Sequence, residues 1–437
     1  MDKPDPLSTE ARASELARPR PKRGLPIAPD ALPGARNLPL AAEARDIDRR
    51  HRPIYAVWEI TLACDLACRH CGSRAGHERP DELTTAEALD LVEQMADLGV
   101  KEVTVIGGEA YLREDWLQIV RAIRKRGMIC TTTTGGRGLT ADMVAKAKEA
   151  GLMGASVSID GDEATHDRLR GVPGSYKAAF EAMKALREAG LRLSCNTQIN
   201  RLSMPLMPDI LETIAAAGVK GWQIQLTAPM GRAADEREVL LQPYDLLELF
   251  PMLAKIKARA DELRVRLWPG NNIGYFGPYE SILRGHYFRG HGGSCGAGRA
   301  TLGIEANGAI KGCPSLPSTP FTGGNIRDAS LKDIWERAEP LRFTRDRTTR
   351  DLWGYCAGCY YAEECMSGCT WTSFVAFGKA GNNPYCHHRT LEMAREGKRE
   401  RVVRVAEAPG QPFDHGLFEI VVEDAPAAIP PTTRSAS

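Results

Sequence analysis

Three cysteines in one short segment have the spacing of ligands for an iron–sulfur cluster. Cys64, Cys68 and Cys71 form the pattern C-x-x-x-C-x-x-C directly after an extended apolar run at residues 55–61. Four-iron clusters are normally bound by four thiolates, so three cysteines leave one iron open to a small molecule. Zinc is the alternative, but it usually takes four ligands, and His70 beside Cys71 is poorly placed to be the fourth. The spacing therefore favours a [4Fe-4S] cluster.

The composition of the chain limits its class and its compartment. The 437 residues suffice for two domains, and 57 Lys and Arg nearly balance 56 Asp and Glu. This balance indicates no basic surface for nucleic acid, and no apolar run reaches the ~20 residues that a transmembrane helix needs. The first residues also lack the apolar core of a secretory signal. We therefore expect a cytoplasmic protein, in which 12 cysteines indicate metal binding or catalysis rather than disulfides.

The elements that must position these cysteines alternate between strand and helix. The apolar pattern predicts six strands, at Tyr55–Thr61, Val103–Ile106, Ile129–Thr134, Ala155–Ile159, Leu193–Gln198 and Gly221–Leu226. It predicts helices between them, at Thr85–Leu98, Asp115–Lys125, Ala141–Ala150, Ser175–Ala189 and Met207–Ala217. Repeated strand–helix units form a parallel sheet with right-handed crossovers. The predicted fold class is α/β, a partial (β/α)6 TIM-like barrel whose working face is at the C-terminal strand ends.

The barrel is one of four segments that we predict along the chain. Residues 1–50 are rich in Pro, Ala and Arg, which indicates a flexible arm. Residues 51–285 form the barrel, and residues 286–391 form a small cysteine-rich domain. Residues 392–437 are a charged, largely flexible tail with one predicted strand at residues 417–422.

Two glycines and a carboxylate follow the second predicted strand. Gly107, Gly108 and Glu109 lie one strand–helix unit after the cysteine loop. Glycine lets a backbone approach a ligand closely, and a carboxylate accepts hydrogen bonds from an ammonium group. A turn with a solvated glutamate is the alternative. Together with the cysteine loop, this G-G-E motif resembles the radical SAM superfamily.

The resemblance to the radical SAM superfamily implies a cofactor and its ligands. In this family the three-cysteine [4Fe-4S] cluster binds S-adenosyl-L-methionine (SAM), and the G-G-E motif binds the methionyl amino group of SAM. The implied cluster ligands are Cys64, Cys68 and Cys71, and the implied SAM contacts are Gly107, Gly108 and Glu109. Ala110 departs from the family pattern, which usually has proline at this position.

Polar segments at the ends of the third and fourth strands match the same family. Thr132-Thr-Thr-Gly135 resembles its T-N-G segment, which implies a cofactor contact at Thr134. Residues 156–161 and 166–176 resemble the S-x-D-G … H-D-x-x-R-G-x-x-G-S-[FY] stretch of its peptide-modifying members. This stretch implies a ribose contact at Ser158.

Four further positions are candidates for the cavity around the cofactor. The resemblance places Asp160 and Arg170 near SAM, with helix capping by Asp160 or an ion pair of Arg170 as an equal alternative. Asn196 and Gln225 lie on predicted strands five and six and would face the same cavity. Their amides could bond adenine, ribose or substrate.

Seven more cysteines occupy the C-terminal third of the chain. They are Cys295, Cys313, Cys356, Cys359, Cys365, Cys369 and Cys386. The first pair reads C-x12-G-x4-C, and the next four read C-x2-C-x5-C-x3-C. This pattern resembles the SPASM domain, which carries auxiliary iron–sulfur clusters. A zinc site on the middle four would leave three cysteines unexplained.

The ligation of SPASM domains assigns these cysteines to two auxiliary [4Fe-4S] clusters. The implied ligands of the first cluster are Cys295, Cys313 and Cys369, and those of the second are Cys356, Cys359, Cys365 and Cys386. The first cluster lacks one ligand, so either His291 completes it or the position is open to substrate. An ordinary surface histidine is the alternative for His291. Cys130 and Cys195 lie in predicted strands, and we expect both to be buried, inert thiols.

The two motif sets together imply a radical SAM/SPASM maturase. Such an enzyme cleaves SAM reductively to a 5′-deoxyadenosyl radical, which takes a hydrogen from an unactivated carbon. Removal of a second electron by the auxiliary clusters then permits a C–C or C–S crosslink. The expected substrate is a ribosomally made precursor peptide or a small protein.

Partners and alternative functions follow from the same resemblance. Residues 1–50 are too short and Pro-rich for a winged-helix leader-binding domain. Leader recognition would then need a separate leader-binding protein or a surface of the barrel, unless the substrate is not a leader peptide. A flavodoxin- or ferredoxin-type protein is the expected electron donor. Alternative functions are maturation of a sulfatase and a step in haem or quinone cofactor biosynthesis. A non-catalytic iron–sulfur or zinc protein is a further alternative, but it would need neither the G-G-E motif nor an open three-cysteine site.

Overall fold

Seven parallel strands form the main sheet, in the order in which they follow along the chain. The computed structural model describes residues 40–236, 238–285, 287 and 291–426. Its first seven strands are β1 (Tyr55–Glu59), β2 (Glu102–Ile106), β3 (Ile129–Thr134), β4 (Gly154–Ser158), β5 (Arg192–Ile199), β6 (Gly221–Leu226) and β7 (Arg266–Pro269). Each pairs in parallel with its neighbours in sequence. The α/β barrel is thus confirmed, and the sheet has two parallel strands beyond the six that the sequence predicts, β7 and a later strand at Thr301–Ile304.

Helices connect these strands. The longer ones are Thr85–Leu98, Trp116–Lys125, Ala141–Ala150, Glu163–Arg170, Ser175–Glu188, Met207–Ala216 and Leu246–Glu262. The helix at Thr85 begins with a capping box, in which Thr84 and Glu87 satisfy the first free amides. It ends at Gly99, whose φ of 101° is the left-handed conformation that glycine adopts without strain. Most boundaries agree with the sequence pattern because such end signals are local.

Shorter elements surround the barrel. The remaining α-helices are Asp46–Arg50, Arg232–Asp235, Glu280–Arg284, Ser318–Phe321, Leu331–Arg337, Glu339–Asp346, Ala362–Cys365, Thr370–Phe377 and His387–Arg395. Single turns of 3-10 helix occur at Ala110–Leu112, Met204–Leu206, Pro243–Asp245, Thr349–Asp351 and Gly354–Gly358. None of the helices among the described residues is long and apolar enough to cross a membrane.

The two faces of the sheet differ in polarity. Residues that point toward the helices are buried, among them Cys130, Cys195 and Trp222, each 0% exposed. The indole of Trp222 satisfies its N–H by donating to Thr197 Oγ1 at 2.8 Å. The opposite face carries half-buried polar side chains, as in β5, where exposed and buried positions alternate. The apolar core therefore lies between sheet and helices, and the concave face is left for polar groups.

The cysteine-rich region continues the barrel sheet. Strand β8 (Thr301–Ile304) pairs in parallel with β1. Strand β9 (Ala309–Lys311) pairs antiparallel with β8, and β10 (Thr322–Asn325) pairs antiparallel with β9. The strand order is therefore β10-β9-β8-β1 and onward to β7. Because β8 pairs directly with β1, the auxiliary region is fixed relative to the strand that leads into the cysteine loop.

Part of the predicted flexible arm packs against the auxiliary region. Residues 1–39 lie outside the described residues, but Asp46–Arg50 is a helix packed on the auxiliary region. Asp48 is 0% exposed and forms ion pairs with Arg342 at 2.8 Å and Arg345 at 3.1 Å. These partners lie almost three hundred residues away, so composition alone gives no sign of this contact.

The predicted flexible tail contains a β-hairpin instead of one strand. Strands β11 (Lys398–Ala406) and β12 (Leu417–Asp424) pair antiparallel. Arg389 in the preceding helix forms two hydrogen bonds to Glu400 of β11, of 2.6 and 2.8 Å. The same guanidinium donates to Asn382 Oδ1 at 2.7 Å, so one buried network joins β11 to the last cysteine segment. The strand predicted at residues 417–422 is present in β12, and β11 is the strand that the sequence analysis missed. Its burial depends on Arg389, which lies outside the tail.

We expect Glu400→Gln to lower the free energy of unfolding by about 3 kcal/mol, since it leaves the Arg389 charge buried without its counter-charge. Urea unfolding followed by circular dichroism measures this loss. Glu419→Gln on the facing strand is the control, because Glu419 is exposed and surface changes usually stay within about 0.5 kcal/mol. Equal losses in the two variants would contradict the buried ion pair.

Candidate functional site

The first three cysteines lie together on the loop that follows β1. Burial raises the pKa of Cys64 to about 12, and the nearby Cys68 and Cys71 raise it further. Burial likewise raises the pKa of Cys68 to about 11. Metals bind the thiolate form of cysteine, so a cluster held by these residues would have to lower their pKa for them to deprotonate. Among the described residues, no three His, Cys, Asp or Glu side chains are close enough to bind one metal ion together. This does not conflict with a [4Fe-4S] cluster, because each cysteine would bind a different iron atom.

Hydrogen bonds from Arg232 connect the cysteine loop to the segment after β6. Its Nε donates to Cys68 O at 2.6 Å, and its Nη2 donates to Ala75 O at 3.0 Å. Its backbone N–H donates to Cys71 O at 2.9 Å. Three carbonyls of the loop are thus satisfied by one residue. The sequence analysis missed Arg232, because a single arginine after a strand belongs to no motif.

Three glycines let other backbone segments touch this loop. A Cβ at Gly107 would lie 2.4 Å from Thr61 O, and one at Gly108 would lie 2.2 Å from Ala63 O. On the other side, a Cβ at Gly231 would lie 2.3 Å from the carbonyl oxygen of Cys71. Real Cβ atoms do not approach this closely, so only glycine fits. In the G-G-E motif the two glycines therefore accommodate the cysteine loop itself.

Glu109 is a buried carboxylate with two hydrogen bonds. It is 2% exposed and accepts from Thr134 Oγ1 at 2.5 Å and from Gly135 N at 2.6 Å. Burial raises its pKa to about 7, which Thr134 and Gly135 partly oppose. A carboxylate has about four acceptor positions, so Glu109 retains capacity for an ammonium donor. Thr134 orients Glu109, and a direct contact of Thr134 with a cofactor stays a prediction.

Asp160 and Arg170 form a buried ion pair behind the cysteine loop. Arg170 Nη2 donates to Asp160 Oδ2 at 2.5 Å, and its Nη1 donates to Cys68 Sγ at 3.7 Å. His70 Nε2 lies 3.3 Å from the same Asp160 oxygen. Burial would raise the pKa of Asp160, but Arg170 and His70 lower it well below its usual range. Asp160 is 0% exposed, so the ion-pair alternative describes these residues, and His70 turns toward Asp160.

The other candidate contacts share the concave face of the sheet. Ser158 pairs in register with Asn196, and Asn196 pairs with Gln223. Gln225 pairs with Gln198, two positions further along each strand, and side chains two apart point to the same face. Ser158, Asn196 and Gln225 thus lie on one face as expected, and their cofactor contacts stay predictions. The sequence analysis missed Gln198 and Gln223, although alternating polar residues in both strands signal them.

The first group of auxiliary cysteines comes together from three distant segments. Burial raises the pKa of Cys369 to about 12, and Cys295 and Cys313 raise it further. The backbone N–H of Cys369 donates to Tyr275 Oη at 3.0 Å, which anchors this group to the segment after β7. The assembled group is that expected for the first auxiliary cluster; ligation itself stays a prediction.

The second group gathers the other four cysteines. Burial raises the pKa of Cys386 to about 12, and Cys356 and Cys359 contribute to the rise. Cys365 lies near the same three thiols, each of which raises its pKa. The structure therefore separates the seven cysteines into the three and four that the sequence analysis assigns.

His291 has contacts other than the thiols of the first group. Its ring packs on Phe276 with centroids 4.8 Å apart, and its Nδ1 accepts from Gly293 N at 3.1 Å. Its proposed role as fourth ligand stays a prediction.

Two contacts connect the cysteine loop with the C-terminal region. Trp371 Nε1 donates to Met230 Sδ at 3.0 Å, and Met230 lies beside Gly72. Arg74 Nε donates to Asp414 Oδ1 at 2.7 Å. The segment between β11 and β12 therefore contacts the site, a role that the sequence does not indicate.

Two family models match the chain. The radical SAM superfamily model matches residues 58–217, which include the cysteine loop and the G-G-E motif. The model of SPASM, an iron–sulfur cluster-binding domain, matches residues 295–360, which include four of the auxiliary cysteines. The matched segments coincide with the two cysteine regions described above.

Relatives match over most of the chain. The AdoMet-dependent heme synthase of Oleidesulfovibrio alaskensis is 29% identical over 394 residues, covering 85% of this chain and 94% of the relative. The PqqA peptide cyclase of Rhodopseudomonas palustris is 28% identical over 366 residues, covering 82% of this chain and 90% of the relative. The crystal structure of Streptococcus suis SuiB bound to precursor peptide SuiA has the same fold, with a TM-score of 0.59 and 18% identity over 77% of this chain and 75% of SuiB.

Proposed function

We propose, from the premise that this chain belongs to the radical SAM superfamily and carries a SPASM domain, that it is a maturase which oxidises a peptide. The observation that carries the proposal is the assembly of three cysteine groups, with three, three and four thiols, in a fold whose auxiliary region continues the barrel sheet. We assign residues 51–285 to the barrel domain and residues 286–391 to the auxiliary domain. The tail then begins at residue 392 and includes the hairpin.

The residues of the barrel fit a cluster with SAM. When bound, the cluster and SAM supply a 5′-deoxyadenosyl radical that abstracts hydrogen from substrate. Cys64, Cys68 and Cys71 would bind the cluster, while Arg170 donates to the Cys68 sulfur. Glu109 would accept hydrogen bonds from the amino group of SAM, and the polar concave face would contact the nucleoside. Burial of these groups excludes water from a reactive intermediate.

The similarity to a peptide cyclase supports a peptide substrate. The partners that we propose are a precursor peptide or small protein, a separate leader-binding protein and a flavodoxin- or ferredoxin-type electron donor. A second candidate function is a step in haem biosynthesis, which the similarity to a heme synthase supports. Both candidates require SAM cleavage, so one assay tests what they share.

The first experiment measures 5′-deoxyadenosine by mass spectrometry. The protein is reconstituted anaerobically with iron and sulfide, reduced with dithionite and given SAM. We expect 5′-deoxyadenosine without any substrate, from uncoupled cleavage. Peptides encoded beside this gene and tetrapyrroles are then compared for their ability to raise its yield. A protein with full iron content that forms no 5′-deoxyadenosine would exclude both candidate functions.

Glu109→Gln should reduce 5′-deoxyadenosine formation about 100-fold while iron content stays unchanged. The amide removes the negative charge that favours the SAM ammonium group, and charge-assisted hydrogen bonds are about twice as strong as neutral ones. Iron analysis and SAM binding by equilibrium dialysis separate the two effects. Glu102→Gln, at the far end of β2, is the control that should keep full activity. Loss of iron in Glu109→Gln would assign the residue to folding of the loop.

A further inference from the structure

A polar cavity is lined by residues that neighbour a cysteine of each auxiliary group. Its volume is about 950 Å³, and its lining includes His291, Ser294, Arg299, Arg347, Thr348 and Thr349. Ser294 precedes Cys295 of the first group, and Glu364 and Met366 of the lining flank Cys365 of the second. The cavity is large enough for a side chain or a small molecule.

Arg347 lines this cavity, and among the described residues no carboxylate lies within ion-pair distance of it, although Asp351 is near enough to raise its pKa. Its Nη2 donates to Ser294 Oγ at 2.9 Å and its Nη1 to Thr370 Oγ1 at 3.2 Å. Its Nε is buried and has no hydrogen-bond partner. Burial lowers the pKa of Arg347, the thiols of Cys295 and Cys365 raise it, and Arg299 lowers it. The two guanidinium groups are therefore near enough to repel each other.

Arg299 also lacks a carboxylate within ion-pair distance among the described residues. Its Nη2 donates to the carbonyl of Thr344 at 2.5 Å, and its buried Nε also has no partner. Among the ion pairs of the described residues, neither Arg299 nor Arg347 occurs. The buried Arg345 and Arg389 have the acids Asp48 and Glu400 as partners. Arg299 and Arg347 are half-buried, with buried Nε atoms, and charges withdrawn from water are normally paired, so these two adjacent guanidinium groups indicate a missing anion.

We propose that this cavity binds a carboxylate of the substrate, with Arg299 and Arg347 as its cationic anchors. Guanidinium groups match the geometry of a carboxylate, and the hydroxyls of Thr348 and Thr349 supply further donors. Glu363 also lines the cavity, so a ligand that combines a carboxylate with an N–H donor fits better than a simple anion. The inference rests on the proposed function and narrows its substrate to one that carries a carboxylate. The bound carboxylate would place neighbouring atoms of the substrate beside the first auxiliary group.

The test is equilibrium binding to the reconstituted protein, measured by anaerobic isothermal titration calorimetry. The probes are the peptide Ac-Gly-Glu-Gly-amide and its Gln counterpart, and coproporphyrin and its methyl ester. We expect at least one acid to bind at least 10-fold more tightly than its neutral counterpart. The tighter acid identifies a peptide or a tetrapyrrole as the source of the carboxylate. Equal binding of acid and neutral probes in both pairs would overturn the proposal.

Variants assign the binding to the two arginines. Arg299→Gln and Arg347→Gln should each weaken binding of the acid at least 10-fold and leave the neutral probe unchanged. Arg350→Gln is the control, because Arg350 is exposed next to the cavity. If Arg347→Gln loses iron, acid binding is measured instead with Arg299→Gln and Arg347→Lys. Unchanged acid binding in iron-replete variants would show that these arginines only balance the charge of the clusters.

The readout is independent of the proposed function. Uncoupled 5′-deoxyadenosine formation by both arginine variants should equal that of the unchanged protein, because neither residue contacts the first cysteine loop. A protein that binds the acid and forms no 5′-deoxyadenosine would refute the function and keep the site. If the protein forms 5′-deoxyadenosine but shows no preference for the acid probe, the carboxylate site is refuted and the proposed function is not.

Discussion

Replacing Cys64, Cys68 and Cys71 together with alanine should remove about one third of the iron and all formation of 5′-deoxyadenosine. Three cubes contain about twelve irons, and this variant should retain about eight. The auxiliary groups should keep theirs, because their thiols belong to other segments of the chain. Iron analysis, electron paramagnetic resonance of the reduced protein and mass spectrometry of the SAM reaction measure the three effects.

The matched control for this variant changes the two cysteines outside the three groups. Cys130 and Cys195 are 0% exposed and lie on the helix side of the sheet. Cys130→Ala with Cys195→Ala should keep about twelve irons and normal SAM cleavage, at a cost of about 1–3 kcal/mol in stability. If the control lost a cluster, or the triple variant still cleaved SAM, the assignment of the open cluster to the first loop would be wrong.

Gly108→Ala should have nearly the same effect as loss of the three cysteines, although it removes no ligand. The new Cβ would lie 2.2 Å from Ala63 O and 2.6 Å from Cys64 Cβ, so the loop or the end of β2 must move. Overpacking costs about 1–3 kcal/mol even where side chains can adjust, and here a backbone carbonyl is in the way. We expect 5′-deoxyadenosine formation to fall about 100-fold, with barrel iron reduced and auxiliary iron unchanged.

Gly76→Ala tests whether this effect comes from the close approach. Gly76 belongs to the same loop, where its N–H donates to Leu62 O at 2.9 Å. A Cβ there meets nothing within 4 Å, and its φ is not positive. This variant should keep wild-type iron content and SAM cleavage. Similar losses in both variants would mean that the loop tolerates no alanine for a reason unrelated to contact.

Local signals explain why much of the barrel could be predicted. Helices that end at Gly99 and Gly151 have φ of 101° and 102° at these residues, a conformation that glycine adopts without strain. Apolar periodicity located six of the eight parallel strands. Strands β7 and β8 were missed because four residues each are too few for a periodic pattern.

Contacts between distant segments were beyond this kind of prediction. The tail was expected to be loose, yet Glu400 bonds Arg389 and Asp414 bonds Arg74. The arm was expected to end at residue 50, yet Asp48 lies between two arginines of the auxiliary region. Each case is an ion pair whose partner is chosen by the fold, and a single sequence contains no measure of that proximity.

The chemistry could be predicted from short segments alone, because the cysteine spacing and the G-G-E motif are recognisable without knowledge of the fold. The grouping of the auxiliary cysteines was predicted from their resemblance to a known pattern. How this chemistry is supported depends on the tertiary structure. It placed Arg232 on the loop carbonyls, turned His70 toward Asp160 and brought Arg299 beside Arg347. These contacts depend on distances of a few ångströms between residues far apart in the chain, and only the packed fold fixes such distances.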